Sequence, residues 1–215
     1  MKNLLTILST FVLSASIASA APFYVAQKGL TGKFVNTDAD GKVIGYYTQS
    51  ANSVSNGGME LSTTLEFMDE NGKSVLSEPF TMTVKYVDES RTDASISSLK
   101  GAMKSSPYMP KGNVIAFPSE IKVGDTFPDH KVNIKIGVIK TNNRITERKV
   151  TGKETITVPA GTFECYVVEE KEYYQGGPKP FSLKTWITKE EGVIRQDCWN
   201  SDGKFYKKME LISIK

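Results

Sequence analysis

Residues that build most catalytic and metal sites are scarce in this chain of 215 residues. It holds one histidine, His130, and two cysteines. A histidine-pair metal site or a Ser-His-Asp triad would therefore have to be built around His130. No Gly-x-Ser-x-Gly elbow, phosphate-binding loop or Cys-x-x-Cys pair occurs. The sequence favours a protein that is not an enzyme, and we predict no cofactor and no metal site.

A marked excess of charge of one sign is also lacking, since 27 basic residues are interspersed with 24 acidic ones. The densest basic stretch, 140–149, is interrupted by Glu147. A protein that follows a phosphate backbone needs a continuous basic stripe. Nucleic acid is therefore not among the expected partners.

Only the first residues contain a long apolar run. A short basic start at 1–3 precedes the apolar stretch 4–13, and Ala18-Ser19-Ala20 resembles a cleavage site. This order predicts a secretory signal peptide over 1–20 and a single β-rich domain over 21–215. The stretch is about half as long as a membrane-spanning helix. We expect an exported protein, periplasmic or extracellular, without a transmembrane segment, and without a lipid anchor because no cysteine stands near the cleavage site.

Cys165 and Cys198 invite a disulfide, because an exported protein meets an oxidising compartment. The predicted strands 162–174, 181–188 and 193–200 place the two cysteines about seven residues apart along the sheet, which is more than ~20 Å. A disulfide needs Cα atoms within about 7 Å of each other. We therefore expect two buried thiols.

The remaining chain alternates short apolar or β-branched runs with Asp, Asn and Gly turns, which is typical of an antiparallel all-β domain. The predicted strands are 30–36, 42–50, 59–68, 75–87, 131–141, 144–158, 162–174, 181–188, 193–200 and 204–214. Three similar turns, at 37–42, 68–73 and 200–204, each place a glycine where a hairpin re-enters a strand. One helix is predicted over 93–104, where Asp93 can cap the first turn and the apolar residues share a face.

Several motifs in the second half of the chain together resemble a known family. They are FPS at 117–119, GDTFPD at 124–129, NR at 143–144, RKVTGKE at 148–154, VPAGTFECY at 158–166, GVIRQ at 192–196 and GK at 203–204. The combination resembles the DUF3108-like family of exported bacterial proteins. The resemblance implies a strongly curved antiparallel sheet, an open half-barrel similar to periplasmic lipoprotein carriers. It implies no activity and no catalytic residues, since the function of the family is unassigned.

Within this region, VPAGTF is typical of a rigid hairpin tip. Pro159 fixes its own φ, and Gly161 supplies a left-handed residue before the strand restarts. Because a turn needs these residue types without any ligand, we interpret Pro159 and Gly161 as structural.

The C-terminal hairpin brings its aromatic residues onto one face. In the predicted register Trp186 faces Arg195, Lys184 faces Asp197 and Ser182 faces Trp199. The next turn places Phe205 beside Trp199. The same turn places Met209 beside Arg195. The residues that we predict to line a ligand site are Trp186, Arg195, Trp199, Phe205 and Met209.

The opposite face of this hairpin is apolar as well, so two interpretations stay open. In a curved sheet one face forms the core and the other can line a groove that holds a ligand. Alternatively, the helix 93–104 and the proline-rich segment 105–129 cover the second face.

Three functions follow from these patterns. The first is non-enzymatic binding of a hydrophobic or amphipathic ligand, such as a lipid, in the periplasm or cell envelope. The second is an interaction or scaffold module without a small ligand, which uses exposed strand edges to extend the sheet of an envelope partner. The third is a hydrolase or isomerase built around His130 with Asp125 or Asp129.

Overall fold

The computed structural model describes residues 23–24, 26–96, 117–174 and 177–215. The described residues are all-β, as predicted, with a 3₁₀ turn at Asn56–Gly58 and no α-helix in these ranges. The strands are β1 (Thr31–Asp38), β2 (Val43–Ser55), β3 (Glu60–Met68), β4 (Phe80–Asp88), β5 (Arg91–Ile96), β6 (His130–Ile136), β7 (Ile139–Val158), β8 (Gly161–Tyr173), β9 (Phe181–Thr188), β10 (Gly192–Trp199) and β11 (Phe205–Ile214).

The strands form one closed barrel. Their order is β1-β11-β10-β9-β8-β7-β6-β5-β4-β3-β2, and β2 pairs with β1 to complete the ring. All neighbours are antiparallel except β5 and β6, which are parallel. Because strand direction must alternate around an antiparallel ring, eleven strands can close only if at least one pair is parallel. The predicted open half-barrel is therefore wrong: the sheet curls until its first strand meets its last.

The connections are distributed between two ends of the barrel. We call the end at which β1 stops the upper end; it carries the connections β1–β2, β3–β4, β6–β7, β8–β9 and β10–β11. Three of these are the predicted polar turns. In each, one side-chain oxygen, from Asp38, Asp69 or Asn200, accepts hydrogen bonds from two backbone N–H groups. These bonds satisfy the backbone of a tight turn without any help from apolar residues.

The predicted helix 93–104 is wrong at its start. Residues 91–96 form β5, which pairs with β4 on one side and β6 on the other. Asp93 does not cap a helix, and its carboxylate accepts a hydrogen bond from Asn133 Nδ2 at 2.7 Å. Buried positions in β5 alternate, which is the period of a strand. Residues 97–104 lie outside the described residues. Among the described residues, no helix is long and apolar enough to cross a membrane.

The hairpin formed by β6 and β7 turns earlier than predicted. The sequence suggested strands over 131–141 and 144–158, but Ile136 pairs with Ile139 and the turn is Gly137–Val138. Gly137 has a φ of +56°, which glycine adopts without strain. β7 consequently continues through Asn142 and Asn143, which lie between the two predicted strands, and it runs for 20 residues.

Aromatic side chains fill much of the interior on the side of β1 to β4. Phe34 stacks on Tyr47 with ring centroids 4.6 Å apart, and the row continues through Phe67 to Phe80. The hydroxyl of Tyr47 donates to Met209 Sδ at 3.3 Å, which ties this row to β11. Rings of this size contribute the largest share of apolar burial in a core.

The segment before β1 also packs into the core. Phe23 is buried, its ring meets Tyr166 edge-on at 5.6 Å, and its backbone N–H donates to the Phe117 carbonyl oxygen. Beside this segment lies a cavity of about 20 Å³, bordered by Tyr24 and Phe34 among others. That space holds about one water molecule. The protein's own side chains therefore fill this part of the barrel, and an acyl chain has no room there.

Candidate functional site

A cleft of about 430 Å³ crosses the surface of β7, β8, β9 and the end of β10. Its lining residues are Glu147, Glu169, Glu170, Lys171, Ser182, Leu183, Lys184 and Trp199. Strand pairing places Lys171, Ser182 and Trp199 in one cross-strand row, with Glu169 and Lys184 in the next. Glu169 is exposed, so these rows belong to the outer face of the barrel. The volume falls within the range of small-molecule sites, roughly 300–1,000 Å³.

A β-bulge in β7 shapes one side of the cleft. Two residues, Glu147 and Arg148, oppose the single residue Glu170 of β8. Glu147 has a φ of +54°, which is uncommon for a residue with a side chain. Its carboxylate lies 2.8 Å from Lys171 Nζ at the edge of the cleft. The extra residue turns Arg148 to the buried face of the sheet.

Arg148 and Glu170 form a buried charge pair beneath the cleft. Arg148 Nε lies 3.8 Å from Glu170 Oε2, and both side chains are almost completely buried. The guanidinium group also lies over the rings of Phe117 and Phe127, at 4.7 and 5.2 Å. Burial lowers the pKa of Arg148, and the negative charge of Glu170 acts in the opposite direction. Glu170 thus links a charge pair of the interior to the floor of the cleft.

A second buried carboxylate, Glu172, lies two residues further along the same face of β8. Its Oε1 accepts a hydrogen bond from Asn143 Nδ2 at 2.8 Å. Burial, together with the charge of Glu172, raises the pKa of Tyr174 to about 12. The inward face of β8 therefore carries two carboxylates, whereas Glu169 on the outward face is in solvent.

One aromatic side chain, that of Trp199, borders the cleft at its upper end, and other rings lie near it. The ring of Trp199 meets Phe205 edge-on at 5.6 Å, and the two residues pair across strands as predicted. Tyr206, which is 39% exposed, lies against Phe181 at 5.7 Å. Of the five predicted lining residues, Trp199 is the one that borders this cleft.

Trp186 and Arg195 face each other as predicted, with the guanidinium 4.8 Å from the ring centre. Trp186 is buried, and its Nε1–H donates to Glu154 Oε2 at 2.7 Å. This hydrogen bond is the main reason that the pKa of Glu154 is lowered. Lys184 lies over the same ring at 4.7 Å, and it also lines the cleft. Trp186 is therefore a neighbour of the cleft beneath one of its lysines.

The predicted position of Met209 is wrong by one residue. Met209 pairs with Gln196, and Arg195 pairs with Glu210 instead. A register shift between Cys198 and Trp199 inserts an extra residue into β11, so every later pair moves by one. Because side chains alternate, Met209 lies on the face opposite to that of Arg195, in the core.

His130 does not meet either predicted carboxylate partner. The ring is completely buried, with Nε2 at 2.9 Å from Thr92 Oγ1 and Nδ1 at 2.9 Å from the Glu89 carbonyl oxygen. Asp125 accepts a hydrogen bond from the backbone N–H of Lys122, and Asp129 lies 3.8 Å from Arg144. Across the described ranges, no three His, Cys, Asp or Glu side chains converge as metal ligands do.

Cys165 and Cys198 are both buried thiols, as predicted. Pairing with β9 places Cys165 level with Thr188 and Cys198 level with Leu183. Five residues along a strand correspond to ~16 Å, beyond the reach of a disulfide. Burial raises the pKa of Cys165 to about 12.

Pro159 and Gly161 lie at the tip between β7 and β8, where Val158 pairs with Gly161. Gly161 has a φ of +143°. The backbone N–H of Ala160 donates to the Leu211 carbonyl oxygen of β11 at 3.3 Å. The tip therefore reaches a strand that is not its neighbour in the sheet.

Most of the residues that line the cleft were not predicted from the sequence. Glu169 and Glu170 lie on opposite faces of β8 because side chains alternate along a strand, but the alternation does not show which of the two is buried. Glu147 takes a left-handed conformation without the glycine that usually signals it. The one available signal was the predicted row of Ser182 and Trp199, which the pairing confirms.

Comparison with known proteins identifies the family. The sequence profile described as DUF3108-like matches residues 27–211. The chain belongs to the DUF3108-like family. No curated protein matches it. The match extends to β1 and β2, well before the motifs that suggested the family.

Solved structures share the fold of this DUF3108-like protein. One, from Bacteroides fragilis, is described as exported and as having a YmcC-like fold; it is 19% identical, with a TM-score of 0.61 over 91% of this chain and 99% of that one. Another, described as a lipoprotein from Parabacteroides distasonis, is 13% identical, with a TM-score of 0.58 over the same shares. At these identities the likeness establishes the fold alone.

Proposed function

We propose that this protein is an exported, non-enzymatic binding protein for an amphipathic ligand of the cell envelope, held in the cleft on β7 to β10. The observation that carries the proposal is the cleft itself, which has an aromatic upper border at Trp199 and lysines at Lys171 and Lys184. An apolar chain can lie against Trp199 while its head group meets the charged rows. The filled part of the barrel interior favours a ligand site outside the core.

The charges of the cleft favour a head group that carries both signs. Lys171 is paired with Glu147 at 2.8 Å, and Lys184 is paired with Glu154 at 3.1 Å. A zwitterionic head group can exchange partners with both ion pairs without leaving a net charge in the cleft. A ligand with one charge would displace one member of an ion pair and leave that member without a partner.

The five residues proposed from the sequence take different places in this scheme. Trp199 contacts the ligand, and Phe205 supports its ring. Trp186 and Arg195 hold Lys184 and the adjoining charges in position from the neighbouring rows. Met209 contributes only through the core.

The other two functions have less support. A strand-edge interaction needs an unpaired edge, and every strand of the described chain has two partners. A reaction at His130 needs a ring that substrate can reach, and this ring is buried with both nitrogens engaged. No specific contact favours either function over binding.

Native mass spectrometry tests the proposal directly. The protein is purified under gentle conditions from the compartment to which it is exported, and any excess mass is extracted into organic solvent. We expect a reproducible excess mass that extracts as an amphipath. A mass equal to the bare chain, unchanged after incubation with envelope lipids, would refute the proposal and favour a protein–protein interaction module.

The two tryptophans supply a matched pair of probes for the site. The Trp186→Phe variant retains only Trp199, and the Trp199→Phe variant retains only Trp186. On titration with dodecylphosphocholine below its micelle concentration, the emission of Trp199 should shift more than that of the buried Trp186. Equal responses from both variants would place the ligand elsewhere.

A further inference from the structure

The tip between β6 and β7 exposes apolar side chains at the upper end of the barrel. Val138 is 96% exposed and Ile139 is 64% exposed. Ile136 pairs with Ile139, so the turn contains only Gly137 and Val138, and Val138 lies at its outermost point. These are the two most exposed large apolar side chains in the described chain.

The turn itself does not require these residues. Three other tips at the same end are built from Asp or Asn side chains that accept two backbone hydrogen bonds, followed by glycine and lysine. Such polar tips close a hairpin with no apolar surface in water. The apolar tip closes its hairpin with the two residues Gly137 and Val138 and leaves valine and isoleucine exposed. Hairpins at this end can therefore be closed without exposed apolar side chains, and Val138 and Ile139 depart from that pattern.

Two lysines flank this apolar tip. Lys135 and Lys140 are directly paired across the two strands, and both are exposed. Neither forms an ion pair with another described residue. Like charges directly opposite each other in a sheet repel. A partner that is negatively charged would remove this repulsion.

We propose that this tip docks the protein on an anionic lipid surface. Val138 and Ile139 enter the interfacial region of the bilayer, and Lys135 and Lys140 contact lipid phosphates. The tip carries apolar side chains at its end and lysines just behind them. This order matches a bilayer surface, where acyl chains lie beneath charged head groups. A protein partner would need a contact of about 1,200 Å² or more for a stable interface, far beyond two side chains.

Binding to vesicles tests the docking proposal. The chain is expressed from its first residue and purified from the exported fraction, so that all variants share one N terminus. It is then floated with vesicles of pure phosphatidylcholine, or of phosphatidylcholine with one-third phosphatidylglycerol. We expect the wild type to float with the anionic vesicles, and binding should weaken as salt is added.

Three variants distinguish the contributions. Val138→Ser with Ile139→Thr should reduce binding tenfold or more, because the apolar point is lost. Lys135→Gln with Lys140→Gln should reduce binding to anionic vesicles on the order of tenfold and leave binding to neutral vesicles unchanged. Val123→Ser, which removes a valine that is 55% exposed near the lower end, is the control and should bind like the wild type.

Several outcomes would overturn the proposal. They are a wild type that does not float with anionic vesicles, a tip variant that floats as well as the wild type, or a loss in Val123→Ser equal to that of the tip variant. If the tip variant instead loses a specific protein partner while its vesicle binding persists, the tip is a protein contact. Titration of Trp199 with dodecylphosphocholine should be unchanged in all tip variants, so failure of docking and failure of the cleft proposal can be told apart.

Discussion

Acidification should destabilise the barrel through His130. The ring is completely buried between Thr92 and the backbone of Glu89. Burial lowers the pKa of His130 from 6.5 to about 4, because the imidazolium form would lose its hydration. The nearby positive charge of Arg148 acts in the same direction, whereas the Glu89 hydrogen bond and Asp88 oppose it.

The sign and size of the effect follow from proton linkage. Because the folded-state pKa is the lower one, the unfolded chain binds the proton first as the pH falls. The stability contributed by the neutral ring is complete above pH 6.5 and is lost as the pH approaches 4. This corresponds to a loss of about 2 kcal/mol between pH 7 and pH 5, and about 3 kcal/mol by pH 4.

Urea unfolding at several pH values measures this loss, with His130→Gln as the control. Glutamine can still reach Thr92 but does not titrate, so the stability of the variant should fall less steeply between pH 7 and pH 5. Since His130 is the only histidine, its ring signals in a nuclear magnetic resonance titration are unambiguous. A ring that titrates near 6.5, or a variant whose stability falls as steeply as the wild type, would refute the argument.

Three further outcomes are expected from the bulge, the buried charges and the thiols. Glu147→Gly should remain within about 1 kcal/mol of the wild type in urea unfolding, because relief of the left-handed conformation offsets the lost Lys171 pair. Glu147→Val should lose about 1–3 kcal/mol. Arg148→Met should lose about 3–5 kcal/mol, since it leaves the Glu170 charge buried, and adding Glu170→Gln should restore most of it; no recovery would contradict this account. Cys165 and Cys198 should resist a thiol reagent near pH 8 in the folded protein and both react after unfolding; fast reaction in the folded state would show that they are accessible.

Strand content could be predicted because it depends on local patterns. Alternating burial in β3 and β4 follows the alternation of their residue types, and the three polar turns lie where predicted. β5 was missed because it is only six residues long, and its last residues also fit the first turn of a helix that Asp93 could cap. What decides between them is pairing with β4 and β6, and β6 is distant in sequence.

Closure of the barrel and most of the residues that line the cleft could not be predicted either, because both depend on how strands pair. Each depends on register shifts whose residues carry no special signal. The bulge at Glu147 lacks a glycine, and the shift between Cys198 and Trp199 moved Met209 to the other face. The hairpin of β9 and β10 was predicted as far as Trp186, Lys184 and Ser182, because it is short and its charges match. Its register slips only near the loop, where a bulge follows Val193.

The seam between β1 and β11 makes folding depend on the whole chain being present. These strands lie roughly 170 residues or more apart in sequence, so their pairing is among the last contacts that the chain can make. Thr31 and Lys215 exchange two backbone hydrogen bonds at this seam. Until the final residues emerge, β1 and β10 each keep an open edge that invites aggregation. A chain that crosses a membrane with its N terminus leading therefore cannot close the barrel until its last strand arrives. A chain truncated before β11 would keep these edges open and would be more susceptible to proteolysis.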